Sequence, residues 1–92
     1  MLERTVIIAN RLGMHARASA QFVTLANRFQ SAIRVSKKGR SADGKSMMEL
    51  MLLAAAKGEK VKISAEGPDA EAALQALTQL IGARFGEENE AR

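Results

Sequence analysis

Polar and apolar positions alternate over three short stretches of the chain and recur at helical spacing over three others. Residues 3–8 are rich in β-branched side chains, with Val6 and Ile8 on one face, and this predicts a strand. Asn10-Arg11-Leu12-Gly13 interrupts it. From residue 16 to about 29, Ala18, Phe22, Leu25, Ala26 and Phe29 form one apolar stripe, the mark of an amphipathic helix lying on a sheet. Residues 32–37 alternate again, Ile33 and Val35 inward and Arg34 and Ser36 outward. Lys38-Gly39 then makes a turn into a return strand over 40–43. Ser46-Met47-Met48-Glu49 fits a capping box, with Ser46 at the N-cap and Glu49 at the third helical position. A helix of about ten residues should follow and stop at Lys57-Gly58, which reads as a C-cap. Val61, Ile63 and Ala65 alternate with Lys62, Ser64 and Glu66 in a further strand closed by Gly67-Pro68-Asp69. Asp69 is the predicted N-cap of a last helix carrying Ala70, Ala73, Leu74, Leu77, Leu80, Ile81 and Phe85 on one face.

The order β-α-β-β-α-β-α, with one apolar face per strand, predicts an α+β fold. Its form is an open-faced two-layer sandwich, a four-stranded antiparallel sheet covered on one face by three helices. The expected domain is residues 1–86, followed by a polar, frayed tail over 87–92. Three phenylalanines, no Trp or Tyr and seventeen alanines among 92 residues imply a thin aliphatic core without an enclosed active site. Having no Cys, the chain forms no disulfide, thiolate metal site or Cys nucleophile. A single His excludes a multi-histidine metal cluster within one chain. No metal and no cofactor are expected. The longest unbroken apolar run, residues 50–56, is too short to span a bilayer, and no leader pattern opens the sequence. The expectation is a cytoplasmic monomer without membrane insertion.

Charge is distributed unevenly. Residues 1–62 hold twelve bases and four acids; residues 63–92 hold two bases and six acids. A basic region of that length suits an anionic partner: phosphate, nucleic acid or an acidic protein face. Nucleic acid is disfavoured, because binders of single strands use aromatic stacking platforms that this chain lacks.

His15 lies where a glycine turn meets a helix, in Gly13-Met14-His15-Ala16-Arg17. If the helix begins at Ala16, His15 is the N-cap and the free N–H groups of the first turn surround its ring. Such an end favours negative charge and could cradle a phosphoryl group on the imidazole. The Arg17 guanidinium offers a planar fork for phosphate oxygens. A lone histidine beside a turn is more often a satisfied capping residue, and spacing alone leaves both readings open. Ser46 is an N-cap by pattern, where a phosphate would be tolerated without unfolding the helix. Met47, Met48 and Met51 crowd one short helix, either as core or as an adaptable exposed surface.

Gly13-Met14-His15-Ala16-Arg17 resembles the active-histidine signature of the HPr family, the histidine-containing phosphocarriers of the bacterial phosphoenolpyruvate-dependent phosphotransferase system. The longer stretch from Asn10 to Arg17 is similar to its nitrogen-branch members. Gly44-Lys45-Ser46-Met47-Met48-Glu49-Leu50-Met51 resembles the family's regulatory-serine segment, and Ile63-Ser64-Ala65-Glu66-Gly67 its last strand and turn. The resemblance runs from residue 2 to about 85 and implies the same fold. It implies that His15 accepts a phosphoryl group from phospho-enzyme I on its δ nitrogen and passes it to IIA proteins. Arg17 would assist, and the backbone of Ala16, Arg17 and Ala18 would hold the phosphate. It also implies that Ser46 is phosphorylated by an HPr kinase/phosphorylase and then meets a transcriptional regulator. Met14, Ala20, Lys45, Met47, Met48 and Met51 would dock partners. Such a chain is a carrier in sugar transport, not an enzyme; the alternative is mainly regulatory, a Ser46-phospho co-repressor or nitrogen-branch regulator. One departure stands out: Ala18 occupies the position after the Arg where the family usually has proline, which restores an N–H and loosens φ. Thr24 and Asn27 replace residues that are often basic in sugar-branch members.

Overall fold

The computed structural model describes residues 1–87. The elements are β1 (Leu2–Ile7), α1 (Ala16–Ala26), β2 (Ala32–Lys37), β3 (Arg40–Asp43), α2 (Met47–Leu53), β4 (Lys60–Glu66) and α3 (Ala70–Gly82), followed by a short turn, Arg84–Gly86. The four strands form one sheet in the order β1-β4-β2-β3, every pair antiparallel. Register follows from the alternation. Val35 lies opposite Ile63 and Ala42, Ile33 opposite Ala65, and Val6 opposite Val61, so one row of small aliphatic residues lines the covered face. The opposite face carries polar side chains such as Lys60 and Lys62. This is the open-faced α+β sandwich that the pattern predicts.

Helix α3 packs on β1 and β4, while α1 lies beside both α2 and α3. Phe22, fully buried, is the largest side chain sealed into the core, with Ile8, Ile33, Leu50, Ile63, Leu74, Leu77 and Ile81 around it. Fully burying each such side chain stabilises the fold by about 1.5–3 kcal/mol.

Three element ends differ from the pattern reading. Helix α1 stops at Ala26: after a last helical bond from the Asn27 N–H to the Val23 carbonyl (2.9 Å), which the Asn27 side-chain amide shares (2.9 Å), the Arg28 and Phe29 N–H groups turn to the carbonyls three residues back, Leu25 (3.0 Å) and Ala26 (3.1 Å). Phe29 therefore packs against the core from a turn. Helix α2 ends at Leu53, well before Gly58. Its C-cap is Ala54 in the left-handed region (φ 55°, ψ 44°), and Lys37 Nζ donates to the Ala54 carbonyl (3.1 Å). Glu59 then holds the following loop, its carboxylate accepting from the Ala56 N–H (2.7 Å) and from Lys37 Nζ (3.1 Å). Finally, Phe85 is buried but is not helical. The chain leaves α3 and turns through Arg84 and Phe85, both at positive φ (59° and 54°).

Asp69 does precede α3, yet its side chain makes no capping bond to that helix. Its carboxylate instead accepts from the N–H groups of Gln30 (2.8 Å) and Ser31 (2.9 Å) and from the Ser31 hydroxyl (2.5 Å). The Ser31 hydroxyl first, and then the Gln30 amide, hold the Asp69 carboxyl below the usual carboxylate range.

Candidate functional site

The segment between β1 and α1 is built to present His15. Gly13 has φ +68°, and a Cβ there would sit 2.5 Å from the Ala55 carbonyl oxygen, so only glycine fits. The same carbonyl accepts the Met14 N–H (2.8 Å), which fastens the segment to the loop after α2. Asn10 is fully buried and donates from Nδ2 to the Gly13 carbonyl (2.8 Å). Ser19, also fully buried, donates from its hydroxyl to the Met14 carbonyl (3.1 Å), and its N–H reaches the His15 carbonyl (2.8 Å) as the first bond of α1.

His15 is the N-cap of α1, with extended backbone (φ −73°, ψ −178°). Its Nδ1 accepts the Arg17 N–H at 3.2 Å, and its Nε2 lies 2.9 Å from Glu87 Oε2. The side chain is 27% exposed, enough for a reacting group to approach. No acidic residue occupies the first turn of α1, so the helix end is electrostatically open to an anion. Glu87 belongs to the segment read from sequence as a frayed tail; the structure instead places it against the imidazole. Its Oε2 also accepts from Asn10 Nδ2 (2.7 Å), and the Leu12 N–H is a further donor to the carboxylate. These bonds, Asn10 first and His15 second, hold the Glu87 carboxyl below the usual carboxylate range. Residues 88–92, the rest of that tail, lie outside the described residues.

Of the residues singled out by sequence, Ala16, Arg17 and Ala18 form the first turn directly after His15. The exposed side chain of Arg17 lines a surface groove of about 480 Å³ with Ala20, Thr24, Arg28 and Leu80. Ala18 is fully buried. Ser46 caps α2, its hydroxyl accepting the Glu49 N–H (3.2 Å), but the box is open on its other side. Glu49 accepts from the Asp43 N–H (2.9 Å), while the Ser46 N–H donates to the Asp43 carbonyl (3.0 Å).

Met47, Met48 and Met51 are exposed, and Leu52, which the pattern reading did not single out, joins them in one apolar patch. Leu50 and Leu53 hold the other side of α2 in the core. Two of the residues expected to dock partners are less exposed than these methionines. Met14 is buried, and its N–H donates to the Ala55 carbonyl. Lys45 is half-buried, with its ammonium donating to the Phe29 carbonyl (2.8 Å). Glu87, Asn10 and Ser19 escaped the sequence reading. Asn10 and Ser19 stand beside His15 in sequence and carried a faint signal, whereas Glu87 reaches it from 72 residues away.

The fold is a small open-faced sandwich that presents a partly exposed imidazole at a helix end. Residues 2–83 match the family model for the PTS HPr component phosphorylation site. The chain is 48% identical over 87 residues to the phosphocarrier protein HPr of Cupriavidus necator, covering 95% of this chain and 98% of that protein. It is 37% identical over 86 residues to the phosphocarrier protein NPr of Shewanella violacea, covering 94% of each. An HPr crystal structure from Thermoanaerobacter tengcongensis superposes with a TM-score of 0.93 at 46% identity, covering 97% of this chain and 100% of that one. The chain belongs to the HPr family of phosphocarrier proteins of the phosphotransferase system.

Proposed function

We propose that this protein relays a phosphoryl group on His15 from phospho-enzyme I to IIA proteins. The observation that carries the reading is the aim of the ring: Nδ1 faces the N-terminus of α1, where donors for an anion are already gathered. In the step, the Nδ1 lone pair attacks phosphorus in line. The new N–P bond forms as the donor's own N–P bond breaks, and that electron pair returns to the donor's nitrogen. The Arg17 N–H, now on Nδ1 at a long 3.2 Å, transfers to a phosphoryl oxygen beside the N–H groups of Ala16 and Ala18. The Arg17 guanidinium adds charge from outside. Onward transfer reverses the same motions. The chain supplies position and charge, and is regenerated rather than turned over.

The exposed apolar patch of Met47, Met48, Met51 and Leu52 on α2, which packs beside α1, is the proposed docking face, together with the separate groove that Arg17 and Ala20 line. Ser46 is the proposed site of a second, regulatory phosphorylation by a kinase using ATP, which would alter that face for a transcriptional regulator. The protein acts as a monomer in this reading. Ala18 keeps the N–H that the usual proline lacks. This extra donor favours a longer-lived phosphohistidine, so hydrolysis and transfer rates should differ between the parent and Ala18→Pro.

Incubation with enzyme I and labelled phosphoenolpyruvate should give an acid-labile label that His15→Ala abolishes. Label persisting in that variant overturns the relay. The kinase with ATP should give an acid-stable label that Ser46→Ala removes.

A further inference from the structure

The two nitrogens of the His15 ring have partners of opposite kind. A backbone N–H can only donate, so at Nδ1 the ring is an acceptor. An ionised carboxylate can only accept, so at Nε2 the neutral ring is the donor. Three features show that Glu87 is placed and not loosely collapsed onto the ring. Its carboxylate gathers donors from Asn10, Leu12 and His15 together. Asn10, one of those partners, is fully buried. The chain reaches this point through three successive residues at positive φ, Arg84 (59°), Phe85 (54°) and Gly86 (76°), two of them not glycine, with Phe85 buried as the anchor. Left-handed backbone at non-glycine residues is costly and persists where the surroundings enforce it.

We infer that Glu87 is a positioning residue for the phosphoryl relay: it holds the ring proton on Nε2 and fixes the imidazole plane, so that the Nδ1 lone pair stays directed at the helix end. The inference rests on the relay reading of His15. As the N–P bond forms at Nδ1, the donor's nitrogen takes the electron pair of the bond that breaks. The proton stays on Nε2, and the ring acquires positive charge directly opposite the Glu87 carboxylate. That charge is absent from the neutral ring, so the contact strengthens as the phosphoryl group arrives. The carboxylate lies on the edge of the ring away from Nδ1 and leaves the approach path open.

The test uses the full chain with ¹⁵N-labelled histidine, together with Glu87→Gln and Glu87→Ala. Long-range ¹H–¹⁵N correlations read the tautomer of the neutral ring, and initial rates of labelling from phosphoenolpyruvate with catalytic enzyme I read the transfer. In the parent, the proton should reside on Nε2 alone. In Glu87→Ala the two tautomers should mix and the labelling rate fall roughly tenfold to a hundredfold, by analogy with the loss of a carboxylate that orients a metal-bound histidine. Glu87→Gln keeps the shape and an acceptor oxygen, so its rate should fall between Ala and the parent; it also serves if the Ala variant loosens the fold. A parent ring protonated on Nδ1, or a Glu87→Ala rate within about twofold of the parent, overturns the inference. If labelling needs His15 but ignores Glu87, only the positioning role fails. If His15→Ala still takes label, the relay itself fails.

Discussion

Helices α1 and α2 begin with the same device, a side chain at the N-cap accepting a first-turn N–H, and yet the two ends are prepared for different things. At α1 the cap is an imidazole, the first turn carries no acid, and the contacts that fix the cap come from behind it: Glu87 on the ring, Asn10 and Ala55 on the preceding segment. At α2 the cap is a hydroxyl and the first turn already holds Glu49, whose carboxylate is committed to the Asp43 N–H. A helix end without an acid of its own, and with its cap oriented from outside, stays suited to an anion. When the acid is supplied locally, the same end is structurally complete.

The contrast can be broken from either side. The largest effect should come from Leu50→Ala, which removes a buried anchor of α2 and should cost about 3 kcal/mol in urea unfolding. Folded molecules should still take label on His15. Gly13→Ala attacks the other end. A Cβ at φ +68° against the Ala55 oxygen should cost about 2 kcal/mol and slow labelling as well, separating the two helix ends by function. Ser46→Ala should lower stability by about 1 kcal/mol through loss of the cap and leave labelling from phosphoenolpyruvate unchanged.

A smaller, pH-dependent effect follows from Glu87 and Asp69, whose carboxyls bind protons less readily folded than unfolded. Their contribution is complete above the usual carboxylate range and is lost as the pH falls through it, from about pH 5 toward pH 3. Denaturation midpoints should drop over that window, and less so in Glu87→Gln. Smallest of all, Met48→Ala, at a side chain 73% exposed, should move stability by no more than about 0.5 kcal/mol while weakening IIA binding measured by titration calorimetry.

The strands were legible because their signals are local. The alternation over β2 and the Lys38-Gly39 turn place the hairpin without reference to anything distant. His15 and Ser46 were legible as caps for the same reason. The end of α2 was not, because an alanine takes the left-handed cap position that usually announces itself as glycine, and the loop is shaped by Lys37 from β2 and by Glu59 at its own far end. Phe85 keeps helical spacing from Ile81 and is buried as that spacing predicts, yet it arrives by a turn of the opposite hand. Met14, expected among the docking residues, is buried beside the histidine, and nothing in its neighbouring residues announces that. The Glu87 contact has no periodicity to betray it.

The turn over Arg84–Gly86 also sets how the ordered chain comes apart. Each left-handed L-residue costs roughly 1–2 kcal/mol, and burying Phe85 returns about 1.5–3 kcal/mol, so the two nearly cancel. What remains is the pair of turn bonds, Gly86 N–H to Ala83 and Glu87 N–H to Arg84, together with the Glu87 carboxylate. Local opening of this segment would release the imidazole without unfolding the sheet, and amide exchange reads how often that happens. The Leu12 amide, one of the partners of Glu87, should therefore exchange with solvent far faster than the amides of β4, and in step with each brief release of the imidazole.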